Sequence, residues 1–276
     1  SNYLYSRMMD VHVLISQLRG DKQRKKSAAA ELFKSQNHSA FWHGGGGPGI
    51  YSSEARRRAY ASLIEAEKFT REKTGFRASL VKDDFDMDGI DELVYRGLSF
   101  NVNIHRKGGC IFQLDYFRTP HNYADTMARH REWYHQDKIY DTYTRNTFID
   151  HFFHTEEDIE NFYSMKYKEN GDFVSGIFNV DKYSKEGKEV LLSRCGYVFT
   201  KKKKFSVEVK KKYSFKRNII ILEYEITNNS ESVLTTKFGS ELNLSFSSRI
   251  GADIDLELQQ EAGKKNCKQS VRLLSI

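Results

Sequence analysis

The segment FSVEVKKKYSF, residues 205–215, decides the fold class of this chain of 276 residues, because apolar and polar side chains alternate along it. Successive side chains of a β-strand point to opposite faces of a sheet. Phe205, Val207 and Val209 therefore share one face, which we expect to be buried, while the neighbouring lysines face solvent. The segment predicts a strand of an antiparallel sheet that has one solvent-exposed face.

Similar short runs recur from about residue 77 onward, with Gly and Asn turns between them. This spacing is typical of an antiparallel β-sandwich. The last stretch, residues 251–276, is polar and then ends on apolar residues, so the sandwich either closes with it or continues beyond the printed sequence. The predicted strands are Leu93–Tyr95, Asn101–His105, Ile111–Tyr116, Thr147–Phe153, Phe173–Phe178, Tyr197–Val209, Tyr213–Thr227 and Lys237–Phe246.

The residues before this region repeat with the period of an α-helix instead. One predicted helix runs from Tyr3 to Leu18 and stops at Gly20, a second begins at a capping Asp21, and a third begins at Ser53. We therefore predict an α+β, mostly β chain. Residues 1–76 form a small helical bundle and residues 77–276 form the sandwich.

The amino-acid composition limits the classes of partner that this chain is expected to bind. The net charge is +7, and without the seven lysines at 201–204 and 210–212 the charges balance. A nucleic-acid surface would rest on that segment alone, and a solvated sheet face is the better interpretation. Three scattered cysteines favour a cytoplasmic protein over a disulfide framework. No apolar run reaches the length of a membrane helix. We therefore predict no nucleic-acid partner, no membrane and a cytoplasmic location.

The most unusual segment is FWHGGGGPGIY, residues 41–51. Trp42 offers an apolar face on which a sugar ring stacks, and His43 offers two nitrogens for sugar hydroxyls. The glycines that begin at Gly44 allow a close approach of the backbone to a ligand. The chemistry alone leaves two interpretations open: a carbohydrate contact, or a loop whose Trp42 packs in the core.

This loop, together with Arg57, Tyr60 and the run Leu63–Glu67, resembles the helical middle domain of glycoside hydrolase family 57, above all its 4-α-glucanotransferases and α-amylases. The resemblance continues into that family's C-terminal sandwich, which is similar to galactose-mutarotase-like domains. The family usually has a bulkier residue where the glycine run follows Trp-His-Gly. The segments that carry the resemblance to the C-terminal domain are Asp84–Gly89, Gly108–Gly109, Leu114–Tyr116, Phe148–Phe152 and Glu241–Asn243.

The resemblance implies that this chain acts together with a catalytic domain that the printed sequence does not include. In the family a catalytic barrel comes first and carries the two carboxyl groups of a retaining mechanism. We expect that barrel upstream of residue 1 in the same polypeptide, so no catalytic residue lies in this chain. The resemblance implies an accessory region that binds an α-glucan or maltooligosaccharide through Trp42, His43 and Gly44. A homodimer stays open.

Three further patterns concern metal binding and catalysis. The carboxylates of Asp84–Asp88 resemble the start of a calcium loop, but Tyr95 stands where the twelfth-position glutamate belongs, so the pattern favours a structural turn. A different calcium geometry that uses Asp91 or Glu92 stays open. No histidine or cysteine group has zinc spacing, so we predict no metal and no cofactor. The alternative function is a free-standing mutarotase-like domain that binds or epimerises a sugar, with Glu241 and either His105 or His151 as acid and base.

Overall fold

A computed structural model describes residues 2–42, 49–72, 75–131, 139–184, 186, 188–200, 203–246, 254–262 and 267–275. The chain begins with the helices α1 (Asn2–Ser16), α2 (Lys22–Ser35) and α3 (Ser53–Arg71). Gly20, at φ +81°, adopts a left-handed conformation in the turn between α1 and α2. The three predicted helices are confirmed. No helix in the described ranges is long and apolar enough to cross a bilayer.

The N-terminal caps of α2 and α3 are side-chain oxygens. Asp21 accepts a hydrogen bond from the backbone N–H of Arg24 at 2.9 Å. Ser52 accepts one from the N–H of Ala55 at 3.2 Å. The predicted cap Ser53 is wrong by one residue, because Ser53 is already the first helical residue. The three helices bury a shared core that includes Leu4, Val11, Leu32, Ala59 and Leu63.

The first sheet has five antiparallel strands in chain order: β1 (Ser79–Asp83), β2 (Glu92–Arg96), β3 (Phe100–His105), β4 (Cys110–Tyr116) and β5 (His121–Asn122). Next come β6 (Ile149–Phe153) and the short helix α4 (Ile159–Tyr163). The second sheet contains β7 (Asn179–Tyr183), β8 (Glu189–Phe199), β9 (Lys204–Lys216) and β10 (Ile219–Asn228).

The remaining strands form a separate ladder and one edge of the second sheet. β11 (Lys237–Glu241) pairs with β6 in a separate two-stranded ladder. The hairpin of β12 (Ile254–Ala262) and β13 (Cys267–Ser275) joins β10, so the second sheet has the order β12-β13-β10-β9-β8-β7. Residues 254–275 therefore form a hairpin at one edge of the second sheet.

Two predicted strands are wrong for the same reason, since alternation continues across tight turns. The predicted strand 197–209 is two strands, joined by a turn in which Thr200 N donates to Lys203 O at 2.8 Å. The predicted strand 213–227 is also two strands, separated at Arg217, which has φ +45°. Phe173–Phe178 is not a strand, although Phe173 and Phe178 are fully buried.

The two large sheets enclose one hydrophobic core. Tyr95 of β2 stacks on Phe215 of β9 with ring centroids 4.2 Å apart, so the layers are in direct contact. Val102, Ile104 and Ile111 of the first sheet and Val190, Val207 and Val209 of the second are also completely buried in this core. The predicted sandwich is therefore confirmed as a mostly β, antiparallel architecture.

Lys211 contradicts the prediction that all lysines of the alternating segment face solvent. Its side chain is completely buried, 2.9 Å from an equally buried oxygen of Asp150. The Nζ also donates to the carbonyl oxygen of Phe148 at 2.7 Å. Lys210 and Lys212 do face outward and pair with glutamates. Position 211 has the same parity as Val209 and Tyr213, so the strand period places it inside despite its charge.

A buried cluster of charges joins the helices to the first sheet. Arg7 of α1 is almost fully buried, and its Nε lies 2.9 Å from Asp115 of β4. Another nitrogen of Arg7 bonds to Glu67 of α3. Three arginines meet three carboxylates there, so the cluster is electrically balanced. Its members are Arg7, Asp10, Glu67, Arg71, Arg96, Asn101 and Asp115.

Candidate functional site

Trp42 lies at the surface of the helical part. A short 3-10 helix, His38–Ala40, precedes it, and Asn37 caps this helix by accepting from Ser39 N at 3.0 Å. The backbone N–H groups of Phe41 and Trp42 both donate to His38 O at 3.0 Å. The Trp42 side chain is 61% exposed, so the interpretation in which it packs in the core is wrong. Most of the indole surface is therefore exposed.

The two other predicted sugar-binding residues, His43 and Gly44, lie outside the described residues. The chain is described again from a second 3-10 helix, Gly49–Tyr51. Arg56 of α3 donates to Ile50 O at 2.6 Å and pairs with Asp125 at 2.9 Å. The end of the glycine-rich segment is therefore tied both to α3 and to the region that follows β5.

A cleft of about 540 Å³ opens beside the residues that precede Trp42. One carboxylate, Glu54, takes part in its lining, and hydrogen bonds from Arg57 and Arg58 hold the pKa of Glu54 below its ordinary value. A retaining glycosidase needs two carboxyl groups. The described lining is mostly polar or charged. It consists of Lys34, Asn37, Ser39, Ala40, Ser52, Glu54, Ala55, Arg57, Arg58, Ala59, Ala61 and Ser62.

A second cavity, of about 330 Å³, lies where β6 and β11 meet α4. His151 of β6 is opposite Gly239 of β11, and Glu241 lies two residues further along β11 on the same face. This register places His151 Nε2 3.1 Å from Glu241. His151 Nδ1 lies 2.7 Å from Glu169. The structure therefore brings Glu241 together with His151, one of the two predicted partners.

The electrostatics of His151 are those of a fixed cation. Burial lowers its pKa, but hydrogen bonds to Glu169 and Glu241 outweigh burial and raise the pKa to about 9. Tyr143 also donates to Glu241, at 2.8 Å. A protonated imidazole that donates from both nitrogens has no lone pair with which to act as a base. The sequence reasoning missed Glu169, since a single glutamate between strands has no spacing signal.

The second predicted partner, His105, lies in a different place. It is the last residue of β3 and is almost fully buried beside the turn between β1 and β2. Its Nδ1 lies 3.5 Å from Glu92, and its Nε2 lies 3.6 Å from Asp86. Potential ligand atoms of Asp86, Glu92 and His105 lie within 4.8 Å of one another, as do those of Asp84, Asp86 and Asp88. The predicted turn is confirmed, and its acidic side chains converge.

Comparison with known proteins assigns both the helical part and the sandwich to one family. Residues 1–70 match the family described as "Alpha-amylase/4-alpha-glucanotransferase, middle domain". Residues 84–139 and 136–275 match the one described as "Alpha-amylase/4-alpha-glucanotransferase, C-terminal". The chain therefore belongs to the α-amylase/4-α-glucanotransferase family, through its middle and C-terminal domains. This confirms the resemblance seen in the sequence.

Individual relatives agree with this assignment. An α-amylase of Pyrococcus abyssi is 29% identical, over 88% of this chain and 38% of the relative. A 4-α-glucanotransferase of Thermococcus kodakarensis is 26% identical, over 94% of this chain and 41% of the relative. The crystal structure of 4-α-glucanotransferase from Thermococcus litoralis superposes with a TM-score of 0.79 at 27% identity, over 94% of this chain and 39% of that chain. The chain thus spans about two fifths of the length of these relatives.

Proposed function

We propose that this chain is an accessory, non-catalytic region of an α-glucan-processing enzyme, which contacts the glucan through its helical part and supports a catalytic barrel. The observation that carries the proposal is the 61% exposed indole of Trp42 beside a polar cleft, in a region that matches the middle domain of glucan-active enzymes. The relatives are named as α-amylases and 4-α-glucanotransferases, so the proposed ligand is an α-glucan or a maltooligosaccharide.

The chemistry of this face suits a sugar chain. The apolar side of a pyranose ring packs on an indole, while the hydroxyl rim needs hydrogen-bond partners. Asn37, Ser39 and Arg57 supply amide, hydroxyl and guanidinium groups within the cleft. His43 and Gly44 belong to this proposed contact because they directly follow Trp42.

The proposed support of a barrel rests on the outer face of α1. Tyr5, Met9 and Val13 recur every four residues there and are 52%, 37% and 47% exposed. Residues at this spacing lie on one side of a helix. An apolar stripe of this kind suits coverage by another domain. The proposed occupant is the catalytic barrel of the same polypeptide.

The alternative, a free-standing mutarotase-like domain, gains no support, since carboxylates engage both nitrogens of His151.

Among the family's finer properties, the likeness of the sandwich to galactose-mutarotase-like domains stays a prediction. The cytoplasmic location and a homodimer also stay predictions.

The test is calorimetric titration of the chain with maltoheptaose, comparing Trp42→Ala with the unaltered protein. We expect weak binding that Trp42→Ala reduces about three- to tenfold, because an aromatic contact contributes roughly 0.5–1.5 kcal/mol beyond its buried area. Tyr163→Ala is the matched control, because Tyr163 is a 77% exposed aromatic residue on α4. Equal affinity of the Trp42→Ala protein and the control would refute the role of this face.

A further inference from the structure

The turn between β1 and β2 holds carboxylate oxygens that have no hydrogen-bond donor among the described residues. Glu92, the first residue of β2, is completely buried. Its Oε2 accepts from Phe85 N at 2.8 Å, while its Oε1 accepts no hydrogen bond from any residue that the structure describes. A buried, unpartnered carboxylate oxygen is costly, so native proteins normally pair such an atom with a donor or a cation.

Two neighbouring carboxylates repeat this pattern. Asp84 Oδ2 accepts from Gly89 N at 3.1 Å, but Asp84 Oδ1 is buried without a donor. Asp86 Oδ1 is buried without a donor as well. The backbone donors of the turn hold one oxygen of Asp84 and one of Glu92, and they leave a second oxygen of each free to bind something else.

The charge of the cluster is also unbalanced. Asp86 belongs to two groups of converging ligand atoms, one with Asp84 and Asp88 and one with Glu92 and His105, so four carboxylates meet around it. His105 faces them, with Nε2 3.7 Å from Asp88. Its Nδ1 accepts from Lys107 N at 3.3 Å. A single imidazole, even when protonated, neutralises one carboxylate of the four.

We propose that Asp84, Asp86, Asp88 and Glu92 bind a calcium ion. Carboxylate oxygens are the ligands that this hard cation prefers, and carboxylates at alternate positions followed by a glycine begin known calcium loops. Gly89, at φ +86°, makes the sharp turn that such a loop needs at its sixth position.

This loop departs from the helix-loop-helix pattern. Glu92, at the ninth position, supplies the buried carboxylate, whereas Tyr95, at the twelfth, packs on Phe215 in the sandwich core. Strands flank the loop instead of helices. The sequence pattern alone therefore favoured a turn, and the burial of Glu92 is what indicates the ion.

The site lies at the junction between the helices and the sandwich. Phe85, inside the loop, packs against Phe112 with ring centroids 5.8 Å apart. Phe112 in turn contacts Tyr3 of α1 at 4.6 Å. An ion that fixes this loop holds Phe85 in contact with Phe112 and, through it, supports α1. We therefore expect bound calcium to stabilise the whole chain against unfolding.

The experiment uses the purified chain after treatment with EDTA and dialysis. Calorimetric titration with CaCl₂ alone should show one site, and Tm should rise with the calcium concentration, because a ligand that binds the folded state stabilises it. Glu92→Gln and Asp86→Asn should each weaken calcium binding about tenfold or more, since affinity follows the number of charged ligands. Asp91→Asn is the matched control, because Asp91 is an exposed acidic residue of the same loop. It should bind calcium like the unaltered chain.

Further outcomes decide against the proposal. The absence of both binding heat and a rise in Tm at about 10 mM calcium would overturn it, because this concentration is roughly tenfold above the ~1 mM dissociation constants of the weakest protein calcium sites. A second contrary outcome is that zinc binds more tightly than calcium, with zinc binding abolished by His105→Gln and left intact by Glu92→Gln. This outcome would also overturn the proposal. If the Glu92→Gln variant does not fold, Asp86→Asn carries the test, since Asp86 is less buried.

Discussion

At the scale of single residues, His151 is held by groups that lie far from it in the sequence. Glu169 and Glu241 each contact one of its nitrogens, and Phe153 stacks on its ring at 5.4 Å. A buried cation between two carboxylates stabilises the native state only while the imidazole stays protonated. The stability of the fold is therefore linked to the titration of this one side chain.

We expect the free energy of unfolding to fall as the pH rises from about 6.5, the ordinary histidine pKa, towards the pKa of about 9 for His151 in the folded state. The pKa of His151 is higher in the folded state than in the unfolded state. Its contribution to the free energy of unfolding is therefore complete below the unfolded-state pKa and is lost as the pH rises through the folded-state pKa. The loss should be on the order of 2 kcal/mol. Urea unfolding at several pH values measures it.

His151→Gln should remove this part of the pH dependence. His154→Gln is the matched control, because His154 has a side chain that is 47% exposed, and it should keep the pH dependence of the unaltered chain. A slope that persists unchanged in the His151→Gln protein would assign the effect to other groups.

At the scale of elements, periodicity located helices and strands but not all of their ends. The alternation of β9 continues into β10 across the turn at Arg217, so the pattern by itself shows no break. The start of α3 was also misplaced by one residue, because Ser52 and Ser53 are both good caps and only the backbone conformation separates them.

Ser52→Ala should destabilise the chain by about 1 kcal/mol, since it leaves the N–H of Ala55 without its side-chain acceptor. Ser53→Ala should change the free energy of unfolding by less than about 0.5 kcal/mol, because an exposed residue at the first helical position is not a cap. Urea unfolding of the two single variants compares neighbouring serines directly. Equal effects would show that Ser52 does not cap α3.

At the scale of the whole molecule, the buried charge cluster makes one unit of the helices and the sandwich. The predicted boundary near residue 76 falls between α3, which ends at Arg71, and β1, which begins at Ser79. Arg7 bonds to Glu67 on its own side of this boundary and crosses the boundary through its contact with Asp115. The division into residues 1–76 and 77–276 stays a prediction about the sequence, and the contacts favour unfolding of both parts together.

Arg7→Met should destabilise the chain by about 3–5 kcal/mol, because it leaves the buried carboxylates of Glu67 and Asp115 without their main counter-ion. Differential scanning calorimetry should show one transition for the unaltered chain and one at lower temperature for the variant. Arg7→Lys keeps the charge but loses the guanidinium fork, so its Tm should be intermediate. Two separate transitions in the unaltered chain would show that the helices and the sandwich unfold independently.

Local periodicity and short ordered motifs were enough to predict the three helices, the antiparallel strands and the resemblance to the glucan-active family. The same motifs pointed to Trp42 and to the turn at Asp84–Asp88. The folded structure was needed to show that Lys211 is buried against Asp150, that His151 lies between two glutamates and that the buried Glu92 joins the acidic cluster. Strand register and sheet packing bring these groups together, and a charged residue distant from its partner shows no sign in its own segment that it is buried.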